Sequence, residues 1–451
     1  MRKAITLWKN KIKRFTKYII SWLTPGIGVK RWILVILIGT TLIGLGLAVI
    51  LLGIYRGTYN SWLLDLFSLL SLRSLPRLWR ALIFGCSGFI LLLIGLWGMS
   101  RSMLMPFMKP GKPIYETISA FRKKERGPRI VAIGGGTGLA TLLRGLKKCS
   151  HNVTALVTVA DDGGSSGELR RNLGILPPGD IRNCLAALSD DEELITQVFQ
   201  YRFSEKAGVK GHSLGNLFIS ALAELTGSFE EAVAESGRVL AVRGRVIPST
   251  LHDVKLVADI KLPNQEMAIK VVGESNISKA MGSIQRLWIE PSNPLAYPPA
   301  IRAILLADLI IIGPGSLYTS VLPNLLVPGL ANAIRSSRAL KFYVCNVANE
   351  KGETDGYSSI DHIKVIERHL QDLHFDVVIC NNKFAADLPK GVEWVKSYPQ
   401  LEEQYSVYYA PLADESNPWR HNSDLLAEAA MDLFYERTGP LNKASKVNME
   451  A

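Results

Sequence analysis

The sequence predicts an α/β protein: a Rossmann-like, mostly parallel sheet with a small α+β insertion, preceded by an N-terminal two-helix transmembrane hairpin. Three observations predict it. Two long uncharged apolar runs stand in the first hundred of 451 residues. From Arg129 onward, short β-branched runs alternate with longer helical patterns, as in a parallel sheet covered on both faces. Between Ala241 and Glu290 that alternation breaks and the texture becomes antiparallel.

The elements follow in chain order. Residues 1–31 hold nine Lys or Arg and no acid. "WILVILIGTTLIGLGLAVILLGIY", Trp32 to Tyr55, carries no charge. As a helix at about 1.5 Å per residue it is long enough to cross a hydrocarbon core of roughly 30 Å. "ALIFGCSGFILLLIGLWGMS", Ala81 to Ser100, is a second such run. Trp32, Tyr55, Trp79 and Trp97 sit near the ends, as interfacial aromatics do. A cleaved signal peptide would be shorter, start earlier and lack a second span. Basic residues crowd before Trp32 and after Ser100, so the positive-inside rule puts both flanks in the cytoplasm. The expected location is the inner or plasma membrane, with the large domain cytoplasmic. Without an intramembrane charge the hairpin reads as an anchor rather than a transporter.

The organisation is therefore a basic cytoplasmic N-terminus (1–31), a membrane hairpin (32–100), a basic linker (101–128), a nucleotide-binding domain (129–440) and a flexible tail (441–451). The net charge of +12 is concentrated around the apolar runs. That distribution speaks for lipid headgroups and membrane orientation, and against nucleic acid. The five cysteines form no CxxC and no zinc set, and read as reduced thiols.

In the domain, the strand runs are "RIVAI", "VTALVTVA", "DLIIIG", "KFYVCNVA" and "FDVVICN". "RVIPSTLHDVKLVADI" and "QEMAIKVVGES" are expected to form an antiparallel hairpin across "LPNQ". Ligands of such sheets lie at the carboxyl ends of the strands, at a topological switch point. The loops there carry the candidate residues. Gly134, Gly135, Gly136, Thr137 and Gly138 join the first strand to a helix, where backbone N–H groups and the helix dipole favour a phosphate. The spacing is not GxGxxG, because Leu139 stands where the last glycine would be. Asp161 and Asp162 follow the second strand, with Ser165 and Ser166 in "GGSSG". An acidic pair there suits ribose, a sugar hydroxyl or magnesium. "PPGDIRN" adds Asp180, Arg182 as a phosphate or acid partner, and Asn183. "GHSLGN" offers His212, Ser213 and Asn216 as further pocket residues. "GPGSLYTS" supplies Gly313, Gly315, Ser316, Tyr318 and Thr319 as a second phosphate or sugar site. Asn346 and Asn381 stand at later strand ends.

Five ordered stretches, "GGGTGLATLLRGLK", "TVADDGGSSGELRR", "LPPGDIRNCLAAL", "GHSLGNLFI" and "GPGSLYTSVLPNLLV", resemble the gluconeogenesis factor family (YvcK-like), sister to the 2-phospho-L-lactate transferases (CofD-like). The resemblance covers about Arg129 to Phe434 and leaves out the membrane hairpin. It implies a CofD-like fold and a nucleotide-linked ligand, foremost a UDP-sugar of the UDP-N-acetylglucosamine type. It also implies roles in central carbon flux, cell-wall precursor supply and cell shape. A regulatory protein partner and a homo-oligomer are expected beside these. Two segments depart from the transferases, which carry Ser-Pro-Asp-x-Asp where this chain has "PPGDIRN" and Gly-Pro-Ser-Asn-Pro where it has "GPGSLYTS".

Two functional readings stand on these residues. In the first, the protein is a non-catalytic sensor of a UDP-sugar. In the second, it is a transferase moving a phosphate-containing group from a nucleotide diphosphate donor, with Asp162 and Asp180 catalytic and Mg2+ expected. A nicotinamide dehydrogenase fits poorly, because neither the glycine spacing nor a hydride-transfer constellation is present.

Overall fold

The structure, a computed structural model, describes residues 127–439 apart from 191, 204–210, 264 and 385–386, with scattered positions before them. The chain divides into two compact units, Met1–Arg122 and Lys123–Ala451. Most of both expected spans, Trp32–Tyr55 and Ala81–Ser100, lies outside the described residues. Those positions within the runs that are described, such as Thr40, Ala48, Ile83 and Leu93, are helical. Among the described residues no single helix is long and apolar enough to cross a membrane.

The second unit is built on a seven-stranded parallel sheet. Its strands are β1 (Ile130–Gly134), β2 (Val153–Val157), β3 (Arg245–Pro248), β7 (Leu309–Ile312), β8 (Leu340–Val344), β9 (Val377–Asn381) and β10 (Val407–Ala410), in the order β10-β9-β8-β7-β1-β2-β3. All the neighbouring pairs are parallel, with Ile130 beside Val153 on one side and Leu309 on the other. The order runs outward in both directions from β1 and β7, which makes their shared carboxyl end the switch point. The central strands are apolar on both faces because helices cover both: β1, β2, β7 and β9 are buried throughout.

The covering helices are α1 (Gly136–Cys149), α2 (Gly164–Leu173), α3 (Gly179–Leu188), α4 (Glu192–Gln200), α5 (Leu214–Thr226), α6 (Phe229–Val239), α7 (Pro298–Leu305), α8 (Pro328–Ser336), α9 (Ser359–His369) and α10 (Ser423–Thr438). In α1, Leu139, Leu142, Leu143 and Leu146 recur at helical spacing and are fully buried, while Lys147 and Lys148 meet the negative end of the dipole. Helix α5 is capped by Ser213 and α10 by Asn422, whose side chains accept the first free N–H groups.

The insertion is a three-stranded antiparallel sheet, β4 (Lys255–Lys261), β5 (Ile269–Val272) and β6 (Ser283–Glu290), in the order β5-β4-β6. The expected hairpin is thus β4 and β5. One correction concerns its first segment. "RVIP" is β3, a parallel edge strand beside β2. Pro248 is tolerated there because an edge strand need not donate on its free side.

Candidate functional site

A cavity of about 400 Å³ opens at the β1/β7 switch point. Its floor is the turn from β1 into α1. Gly136 has φ +61°, a left-handed conformation that glycine adopts without strain. At Gly138 a Cβ would stand 2.7 Å from the Pro314 carbonyl oxygen and 2.8 Å from the Gly315 Cα. The two glycine loops therefore touch, and only a residue without a side chain lets them. Asn324 Nδ2 ties the arrangement, donating to the Gly134 carbonyl at 2.9 Å and the Ser320 carbonyl at 2.8 Å. Asn346 holds the second loop with a reciprocal pair: it accepts from Gly315 N at 3.2 Å and donates to Gly315 O at 3.0 Å.

After the second loop, Leu317–Val321 is a π-helical turn. The wide turn brings Ser316, Thr319 and Ser320 to the cavity and sends Tyr318 the other way. Tyr318 is fully buried, with its hydroxyl 2.9 Å from that of Tyr357. The Ser316 hydroxyl donates to Glu350, and that of Thr319 to Glu353 at 3.1 Å. With their protons spent on glutamates, both hydroxyls face the cavity as acceptors. This wall therefore suits ligand hydroxyls better than phosphate.

Carboxylates dominate the remaining walls: Asp161, Asp180, Glu274 and Glu350 all line the cavity. Burial pushes the Asp180 carboxyl up to about 7, and neighbouring Asp161 adds to this; a hydrogen bond from Gly136 N–H opposes it. Asp180 therefore sits on the positive end of α1, where a phosphate would bind. Burial also drives Glu274 up to about 8, helped by Asp161 and Asp162, and Glu353 up to about 7, helped by Glu350. Glu353 Oε2 is buried without a partner, which fits a carboxyl that keeps its proton. Asp161, raised by burial, also accepts from Gly163 N at 2.9 Å.

Of the residues expected from sequence, Gly135, Gly136, Thr137, Gly138, Asp161, Asp180, Gly315, Ser316, Thr319 and Asn346 line this one cavity. Others lie behind it. Gly134 ends β1, and its carbonyl takes the Asn324 bond. Gly313 precedes the cis Pro314 at the end of β7. Arg182, expected as a phosphate clamp, is buried. Its guanidinium donates to Ser213 at 2.6 Å, Asn216 at 3.0 Å and Asn183 at 2.9 Å. Asn216 Nδ2 continues to Ser165 at 3.0 Å and reaches Ser166 at 3.4 Å, and Ser165 Oγ lies 3.0 Å from His212 Nδ1. These residues form a packed polar layer that fixes the Asp161 loop rather than a second pocket. Asp162 accepts from Ser275 N at 3.0 Å and so anchors the insertion. Asn381 closes the end of β9 by accepting from Leu412 N at 3.0 Å.

The cavity also uses residues the strand-end reasoning passed over. Glu274 comes from the insertion, which has no strand end in the main sheet. Trp419, Arg420 and His421 follow β10, a strand too short and mixed in sequence to stand out. Arg420 brings a positive charge to a cavity otherwise rich in carboxylates.

Comparison with known proteins places this geometry. The model for the 2-phospho-L-lactate transferase CofD family matches residues 130–407. A gluconeogenesis factor from Bacillus subtilis is 42% identical over 318 residues, covering 68% of this chain and 99% of the relative. The chain belongs to the gluconeogenesis factor family. A family relative from Nostoc sp. is 46% identical over 395 residues, 85% of this chain and 84% of its own. That match is longer than the described domain, so some members of the gluconeogenesis factor family share sequence on its N-terminal side. The crystal structure of a UPF0052-family protein from Bacillus halodurans has the same fold, with a TM-score of 0.63 at 42% identity, covering 68% of this chain and 99% of that one. This chain thus carries its CofD-like domain as a Rossmann-like parallel sheet with the cavity at the switch point.

Proposed function

We propose that the cavity binds a nucleotide diphosphate-linked sugar of the UDP-N-acetylglucosamine type, and that the protein senses this ligand to regulate carbon flux, wall-precursor supply and cell shape. The observation that carries the reading is the junction of two chemically unlike walls. The Gly135–Gly138 turn on the α1 N-terminus, whose Gly136 N–H is already held by Asp180, offers its remaining backbone donors to a diphosphate. The opposing wall of carboxylates and acceptor hydroxyls suits the donors of a sugar. A diphosphate beside four carboxylates needs a cation. Among the described residues no three His, Cys, Asp or Glu groups form a ready metal cage. Mg2+ commonly takes one or two carboxylates together with phosphate oxygens, and Asp161 and Asp180, which line the cavity beside the glycine turn, would supply them. It would neutralise charge between them and the ligand.

A second reading, transfer of a phosphate-containing group, is favoured by one observation. Asp180, held near neutrality at the phosphate end of the cavity, is suited to hold or release a proton there. The two readings separate by calorimetry of the full chain with UDP-N-acetylglucosamine, with and without Mg2+, followed by mass spectrometry of the same samples. Binding without product supports the sensor; binding with product makes it a transferase; no binding in either condition refutes the UDP-sugar assignment. The N-terminal runs support a membrane anchor, and a regulatory protein partner and a homo-oligomer complete the reading.

A further inference from the structure

His421 lines the cavity yet is buried, with 8% of its surface exposed. Its backbone is hydrogen-bonded on both sides. Ala413 and His421 form an antiparallel bridge. Asp414 N donates to Arg420 O at 2.9 Å, and Asn422 N to Leu412 O at 2.7 Å. Inside this clasp the imidazole Nε2 lies 3.1 Å from the carbonyl oxygen of Cys345. A carbonyl only accepts, so Nε2 must carry the proton, and in a neutral ring Nδ1 is then a bare acceptor. Burial keeps the ring neutral by pulling its pKa down to about 4. Nδ1 has no partner among the described residues, nor is it one of the buried side-chain atoms left without one. It therefore keeps accessible surface, and the accessible space that the residue lines is the cavity. The anchoring carbonyl lies just past β8, two strands from β1. At roughly 4.8 Å per strand this places it about 10 Å from the glycine turn, which leaves room for a diphosphate between them.

We infer that His421 is a specificity-determining residue: locked as the Nε2–H form by Cys345, it offers Nδ1 as an uncharged acceptor to a hydroxyl or amide N–H on the sugar of the bound nucleotide. The inference rests on the nucleotide-sugar reading of this cavity. It gives the cavity an acceptor that, unlike the carboxylates, neither repels the diphosphate nor changes charge between pH 6 and 8. Asp161, Asp180, Glu274, Glu350 and Arg420 are the charged groups that share the cavity with it.

The test is calorimetry of the full chain, at fixed Mg2+, with UDP-N-acetylglucosamine and with UDP. His421→Phe keeps the ring shape and removes both nitrogens. His421→Gln keeps a donor for the Cys345 carbonyl and serves if the first variant folds poorly. Each is expected to weaken the nucleotide sugar by roughly three- to tenfold, the worth of one neutral hydrogen bond. UDP itself should change by less than about twofold on the same grounds. If a folded variant binds both ligands as well as the native chain, or loses both equally, His421 does not read the sugar and the inference fails while the nucleotide reading stands. If the native chain binds neither ligand, the nucleotide reading fails and this inference falls with it.

Discussion

Replacing Asp180 with Asn should stabilise this protein at pH 8 relative to pH 5, although it alters a cavity residue. The carboxyl rises from an ordinary 3.8 to about 7, which at 1.36 kcal/mol per pH unit is a bias of about 4 kcal/mol against the ionised form. The sign follows from proton binding. Below pH 3.8 both folded and unfolded chains are protonated and the bias has no effect. As pH rises towards 7 the unfolded chain ionises while the folded chain resists, so the folded state loses stability; above 7 the loss is complete. Between pH 5 and 8 the folded state therefore loses about 3 kcal/mol through this group, an upper bound because water and counter-ions in the cavity screen it. Asn has the same shape and can accept from Gly136 N–H, but it does not titrate. Glu353 carries the same sign in both proteins and drops out to first order, whereas Asp180 is one of the smaller charges raising Glu274, so its removal relieves that carboxyl too and adds to the effect with the same sign. Urea unfolding of native and Asp180→Asn chains, followed by tryptophan fluorescence at pH 5 and pH 8, reads the effect. The variant should gain on the native chain by about 1–3 kcal/mol from the lower to the higher pH. An equal difference at both pH values would refute the claim that burial and Asp161 hold this carboxyl up.

Other outcomes follow from the same structure. Gly138→Ala places a methyl against backbone on the facing loop, which cannot rotate away, so it should cost about 1–3 kcal/mol and abolish ligand binding; differential scanning calorimetry and ligand calorimetry would report both. Arg182→Met strands Ser213, Asn183 and Asn216 in the buried layer and should cost about 2–4 kcal/mol of stability, with ligand affinity in the folded fraction nearly unchanged; a loss of affinity without a loss of stability would restore Arg182 as a phosphate clamp. Cell fractionation should recover the full chain in the membrane pellet, and residues 127–451 in the supernatant. Recovery of the full chain in the supernatant would refute the anchor.

Much of the parallel sheet was legible because its central strands are unbroken β-branched runs that cannot serve as surface helices. The edges were less so. Arg245–Pro248 and Val407–Ala410 are short and only partly buried, and nothing local distinguishes them from the insertion or from a loop. The glycine turns were legible because a close approach of backbones demands glycine at fixed places. Side-chain direction was not. Tyr318 and Thr319 are neighbours in a π-helical turn, and one residue decides between core and cavity. Arg182 likewise appeared as a clamp because sequence gives its charge but not the three partners that consume it. Glu274 and His421 required the tertiary fold, since each reaches the cavity from an element outside the strand-end loops that the pattern picks out.

The cavity is assembled from opposite ends of the domain, and this fixes when it can work. About 285 positions separate Gly136 from His421. A growing chain makes the glycine turn first and the Trp419–His421 wall nearly last. Helix α10, which follows that wall, packs on α1 so closely that a Cβ on Gly145 would fall on the Ser423 carbonyl oxygen. Loss of the stretch after β10, through a premature stop or a proteolytic nick, would take away one wall and the support of the helix beneath the glycine turn together. A domain cut short after β10 would therefore lack a complete cavity, however well its parallel sheet had formed.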